Sequence, residues 1–147
     1  MGASCSHIQV IRVGEPIPQV KLDSPDVIAA YYRQHISSGP QFDPEKEHLH
    51  VLALNTQLNI KGINLVSVGS LNEAVAHPRE VFRPLIALAA YGFILVHNHP
   101  SGDASPSDAD RRLTMRIREA GHLLQIELVD HVIIGEHRFS FREAGLI

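Results

Sequence analysis

Tyr91-Gly92-Phe93-Ile94-Leu95-Val96-His97-Asn98-His99-Pro100-Ser101-Gly102 decides how this chain is read. Its first six residues form a continuous apolar run that breaks abruptly into polar ones, the pattern of a buried strand. Side chains two apart on a strand share a face, so His97 and His99 emerge side by side at its end. Pro100-Ser101-Gly102-Asp103 then demands a turn. Beyond it, Ser107 opens a helix that carries Asp110 in its first turn, pointing back at the strand end.

Two imidazoles and one carboxylate leave a zinc ion one free position in a tetrahedral site, the mark of a catalytic rather than a structural site. A plainer reading stands beside it. His97 and His99 could be loop histidines, and Ser107 with Asp110 a capping box, in which an acidic residue follows the cap by three. That reading leaves unexplained why a strand, a turn and a helix start deliver three ligand-type groups to one point.

His-x-His-Pro, with seven residues from the second His to Ser107 and then Ser-x-x-Asp, resembles the JAMM motif of the MPN-type zinc metalloproteases. The fuller string from His97 to Asp103, with Pro106, Ser107 and Asp110, is similar to the RadC branch in particular. His77-Pro78-Arg79-Glu80-Val81-Phe82 and Asp130-His131-Val132-Ile133-Ile134-Gly135 add to the likeness, which covers roughly residues 24–147. It implies the α/β sheet of the MPN (JAB) fold, a layout similar to that of cytidine deaminases. It also implies His97, His99 and Asp110 as ligands of zinc (Zn2+).

Such a zinc lowers the pKa of a bound water to roughly 7 and polarises a carbonyl. Hydrolysis also needs a base for the water's proton and donors for the developing oxyanion. In the JAMM pattern an upstream Glu at the start of a strand is the base, and the motif Ser helps hold the oxyanion. The resemblance gives the second role to Ser107, which can cap its helix as well. Glu47, just before the apolar Val51-Leu52-Ala53-Leu54, fits the first role, although Glu45-Lys46-Glu47 also reads as a charged loop. Glu80 is the rival, placed where an acid satisfies a helix dipole.

Working outward, residues 1–23 read as an N-terminal arm, with a weak apolar alternation from Ile8 to Val13 followed by Pro16 and Pro18. Residues 24–147 read as the domain. Ser24-Pro25-Asp26 starts a helix to about Ser37, with Ser as cap and Pro at the first position. Leu49 to Leu54 and Ile60 to Val68 form a hairpin around Asn55–Asn59. A helix from about Arg79 to Tyr91 must tolerate Pro84. The Ser107 helix closes at Gly121 after Ala120, and strands over Leu124 to Ile134 and Arg138 to Phe141 end the chain. The whole is a mixed sheet with helices packed on it.

Several residues near the motif carry narrower expectations. Asn98 points away from the two histidines and stitches the loop. Asp103 is a turn residue that lies near enough to partner a ligand. Asp130-His131, inside an apolar strand, reads as a satisfied core pair. His48 and His50 repeat the spacing of His97 and His99 without a third ligand.

At 147 residues the chain is one domain with room for a core. Its 44% hydrophobic residues include no apolar run of spanning length, so no membrane is expected. The start lacks a secretory pattern, and the single Cys5 allows no internal disulfide, which makes the cytoplasm the default location. A net charge of −3 gives little support to DNA as a partner. Arg111, Arg112, Arg116 and Arg118 read as a solvated helix face or a docking surface for an acidic partner.

The leading function is hydrolysis of a peptide or isopeptide bond, with a protein or peptide as substrate. Two others compete: a DNA-repair-associated role without protease activity, and a metal-bearing interaction module. Longer RadC-type proteins place a helix-hairpin-helix region before the domain. These residues leave no room for one, so a domain-only relative is expected, and the DNA reading weakens. A homodimer fits the sequence as well as a monomer does.

Overall fold

The computed structural model describes residues 19–71 and 76–147, together with positions 2, 4 and 17. Cys5, the Ile8 to Val13 alternation, Pro16 and Pro18 lie outside them. In chain order the elements are helix α1 (Pro25–Tyr31), strands β1 (His48–Leu54) and β2 (Ile60–Val68), and helix α2 (Pro78–Ala87). Strand β3 (Gly92–Asn98), helix α3 (Asp108–Leu124) and strands β4 (Glu127–Ile134) and β5 (Arg138–Ser140) follow. A π-helical turn over Tyr32–Ile36 continues α1. The strands form one mixed sheet in the order β2-β1-β3-β4-β5, in which only β3 and β4 run parallel. This is the α/β architecture expected from the sequence.

Both β1 and β3 are buried along their whole length, because helices cover both faces of the sheet. Even-numbered Leu52, Leu54, Ile94 and Val96 pack with Ile28, Ala29 and Tyr32 from the first helical segment. Odd-numbered Leu49, Val51, Ala53, Phe93 and Leu95 pack with Phe82 and Leu85 of α2 and with Leu113 and Ile117 of α3. Helix α3 buries Asp110, Leu113, Thr114, Ile117 and Gly121, a single stripe at helical spacing. The odd face of β3 and the buried stripe of α3 therefore meet, and this meeting builds the site.

Local chemistry fixes the element ends. Ser24 caps α1 through Val27 N at 3.3 Å, with Pro25 in the first turn. In the hairpin, Asn55 Oδ1 accepts from Gln57 N and Asn59 N. Lys21 bridges Asn59, and Leu22 is buried against the same hairpin.

Two helix ends differ from expectation. Helix α2 stops at Ala87, four residues before Tyr91, because Ala89 turns into the left-handed region and Tyr91 N bonds to Leu54 O of β1. Helix α3 runs past Gly121 to Leu124, and Gln125 takes the left-handed cap, so β4 begins at Glu127 rather than Leu124. Gly121 serves packing instead. A Cβ there would lie 2.5 Å from Ile126 O, closer than any side chain tolerates. No helix among the described residues is long and apolar enough to cross a membrane.

Candidate metal centre

His97 is the sixth residue of β3 and is wholly buried; His99 follows one residue beyond the strand, and its side chain is 12% exposed. Their Nε2 atoms lie 3.1 Å apart. Asp110, in the first turn of α3, places Oδ1 3.3 Å from His97 Nε2 and Oδ2 3.1 Å from His99 Nε2. Tetrahedral zinc with bonds of roughly 2.0–2.2 Å has ligand–ligand edges of about 3.3–3.6 Å. The two imidazole nitrogens, and each of them with its nearer Asp110 oxygen, stand close to that spacing, and one ligand atom from each residue lies within 4.8 Å of the others, so the set fits a small ion.

Ser107 shows why the capping and ligand readings are compatible. Its Oγ accepts from Asp110 N at 3.0 Å, while its own N–H donates to Asp110 Oδ2 at 2.9 Å. This capping box holds one carboxylate oxygen and turns the other toward His97. Burial opposes ionisation of Asp110. The hydrogen bonds from His97 and His99 and the Ser107 N–H outweigh it and hold the carboxyl well below the usual range. His99 is held above its ordinary value, chiefly by its hydrogen bond to Asp110, against burial and with help from the Asp103 carbonyl.

The hydrogen-bond directions also fix which imidazole nitrogen is free. A carbonyl can only accept, so the 2.7 Å contact between His99 Nδ1 and Asp103 O places the proton on Nδ1. Likewise Thr114 Oγ1 donates to Asp110 O at 2.6 Å, so its second contact, with His131 Nδ1 at 2.6 Å, must be accepted. His131 is wholly buried, and desolvation, with the neighbouring His97, drives its pKa well below the ordinary value and keeps it neutral. Its Nε2 therefore accepts from His97 Nδ1 at 2.8 Å. With each Nδ1 so engaged, the Nε2 atoms of His97 and His99 both turn to the same point, where an Nε2–H donates to Asp110 and a deprotonated Nε2 offers its lone pair to an ion.

His131 and Thr114 were missed as parts of the site by sequence reasoning. The signals were an imidazole in the strand that follows the Ser107 helix, and a Thr four residues after Asp110 on one helix face. Asp130-His131 is buried as expected, and Asp130 Oδ1 accepts from His131 N at 2.7 Å, but the two side chains do not pair. Asp130 faces the other side of the sheet, where Oδ2 accepts from Ser140 Oγ at 2.6 Å and Oδ1 from Arg142 N at 3.1 Å. The Asp103 side chain makes an Asx-type turn with Ser105 N, and its backbone carbonyl is the partner of His99.

Glu47 immediately precedes β1 on the odd face, and its Oε1 lies 3.9 Å from His99 Nε2. Its Oε2 accepts from Leu71 N at 2.8 Å. Glu80 lies in the first turn of α2 and pairs with Arg79 and Arg83 at the surface. The structure thus brings Glu47, not Glu80, to the three donors. His48 and His50 face the other side, where His48 stacks on Phe42 and His50 meets Tyr32 edge-on. Among the described residues, the only group of three or more potential ligands in reach of one ion is His97, His99 and Asp110. Arg111, Arg112 and Arg116 lie on the exposed side of α3.

Residues 22–146 match a family model described as the RadC-like JAB domain. A UPF0758 protein of Pelodictyon phaeoclathratiforme is 54% identical over 106 residues, covering 71% of this chain and 48% of that one. A UPF0758 protein of Thermotoga maritima is 44% identical over 132 residues, 89% of this chain and 56% of that one. Another, of Moorella thermoacetica, is 51% identical over 104 residues, 70% of this chain and 45% of that one. The chain spans about half the length of the curated relatives it matches.

Proposed function

The chain belongs to the RadC-like JAB domain family, and from that premise we propose that it is a zinc-dependent hydrolase of a peptide or isopeptide bond. The observation that carries this reading is the convergence of His97 Nε2, His99 Nε2 and the Asp110 carboxylate on one point, with Glu47 beside it. Three protein donors leave a fourth position open, as catalytic zinc sites do. Zinc bound there would supply a Lewis acid and an acidified water.

The chain's own residues supply the rest. Glu47 takes the proton of the attacking water and delivers it to the leaving nitrogen. Leu71 N holds its Oε2, so Oε1 is the oxygen aimed at the site. Ser107 is exposed, and its Oγ accepts from Asp110 N, which leaves the hydroxyl hydrogen to donate to the carbonyl oxygen of the scissile bond. The substrate is then a protein or peptide, including a chain joined through a lysine side chain.

The experiment is cleavage of a proteome-derived peptide pool and of lysine-branched peptides by the zinc-loaded protein, read by mass spectrometry as new termini. Glu47→Gln should reduce cleavage by about 100-fold or more with zinc retained, and a chelator should abolish it reversibly. Cleavage indifferent to both, or none above buffer, contradicts the proposal.

A further inference from the structure

Asn98 lies between the two histidine ligands on β3, and its side chain points to the opposite face of the sheet. There it is buried, and its carboxamide spans the residue that precedes β1. Oδ1 accepts from His48 N at 2.8 Å and from Tyr32 OH at 3.4 Å, while Nδ2 donates to Lys46 O at 2.9 Å. The orientation of the amide is unambiguous, because a backbone N–H can only donate and a carbonyl can only accept. The two peptide groups it grips are those on either side of Glu47.

From this geometry we infer that Asn98 is the positioning residue for Glu47, setting its distance from the metal ligands. Strand β1 pairs antiparallel with β3 with Leu49 opposite His97, so the start of one lies at the end of the other. Glu47 enters this register from the Asp43–Lys46 loop, where regular pairing with β3 has not begun. Gly69 N holds its carbonyl at 2.8 Å and Leu71 N holds Oε2 at 2.8 Å, both from beyond the end of β2. Those two bonds tie Glu47 to β2. Only the Asn98 grip, among the hydrogen bonds described, ties its backbone to the strand that carries the ligands. Alternation then does the rest: the odd side chains at 97 and 99 set the ion, and the even one between them sets the acid. A single strand segment serves as the ruler for both.

The inference rests on the metal reading proposed above, and the test separates the two. The full chain is loaded with cobalt(II), whose visible bands report the surroundings of the ion. Spectra are recorded for wild type, Glu47→Gln, Asn98→Leu and the double variant, each with metal content and far-ultraviolet circular dichroism measured. Asn98→Leu should give the same difference spectrum as Glu47→Gln, with at least half its amplitude at unchanged cobalt content. The double variant should match Glu47→Gln alone, since with the carboxylate gone there is nothing left to position. A residue that only stabilised the fold would give an effect that persists in the Glu47→Gln background, and that result overturns the inference. So does a Glu47→Gln spectrum identical to wild type, or an Asn98→Leu spectrum identical to wild type. Should Asn98→Leu fail to fold, Asn98→Ser, whose hydroxyl can still accept from His48, should give the same difference at smaller amplitude, and an unchanged spectrum rejects the claim. Failure of the wild type to bind cobalt removes the metal reading itself, and this inference with it.

Discussion

His97 Nδ1 lies 2.8 Å from His131 Nε2, so one strand's ligand is held by an imidazole of the neighbouring parallel strand. His131 is oriented in turn by Thr114, whose hydroxyl donates to the carbonyl of Asp110. The chain of bonds begins at one ligand and returns to the residue of another. A change at either member disturbs the ligand geometry from behind. His131→Leu and Thr114→Val should each weaken zinc binding by about 10–100-fold, as loss of such outer partners does elsewhere. Competition with a chromogenic chelator measures this, and wild-type affinity in His131→Leu contradicts the assignment. In wild type, long-range 15N correlation spectra should place the His97 proton on Nδ1.

Metal binding should depend on pH through His99. Its pKa is raised, first by the hydrogen bond to Asp110, and zinc must displace the proton. Below the raised pKa the affinity should fall about tenfold per pH unit, and above it level off. Asp110 stays ionised throughout, since its own pKa is depressed. Competition titrations from about pH 6 to about pH 8 should show this rise; an affinity that is flat, or that falls with rising pH, contradicts it.

Acid stability should be governed in part by His50, which meets Tyr32 on the face of the sheet opposite His97. Burial, with the adjacent His48, lowers its pKa from 6.5 to about 4, and its Nδ1 has no hydrogen-bond partner. The unfolded chain takes up a proton near 6.5 that the folded chain refuses until about 4, so stability drops as pH falls through that window. His131 acts with the same sign. His50→Leu removes one such group. Between about pH 7.5 and about pH 5 its stability should gain on wild type by about 2 kcal/mol. Urea unfolding at both values reads the gap, and an unchanged gap contradicts the prediction.

Gly135 holds the turn after β4 against the ligand loop. A Cβ there would lie 2.2 Å from Gly102 O and 3.0 Å from Ala104 N, both backbone atoms that cannot swing aside. Gly135→Ala should therefore cost about 1–3 kcal/mol and weaken zinc binding, because Asp103 O, which fixes His99, must move with the loop. Unchanged affinity alongside lowered thermal stability would show the loop to be independent of the site.

The grouping of His97, His99 and Asp110 was legible in the sequence because each of its parts is local. Two-residue alternation put His97 and His99 on one face, and the three-residue spacing from Ser107 to Asp110 set the helix start. Glu47 against Glu80 was not decidable that way. What separates them is the register of β1 on β3, a pairing between residues about 50 apart that no local pattern encodes. His131 was hidden for a similar reason, since its partner lies across a parallel pair joined by α3. Gly121 misled because a glycine near a helix end has two uses, a left-handed cap or a close approach, and only packing distinguishes them. Gln125 took the cap.

The most direct test of the central claim is the zinc content of protein purified without chelator, measured by elemental analysis for wild type and Asp110→Ala. The account predicts close to one zinc per wild-type chain and a sharp loss in the variant, in which the carboxylate facing both imidazoles is gone. A wild type that holds no transition metal even when zinc is supplied, or an Asp110→Ala variant that keeps it, contradicts the account.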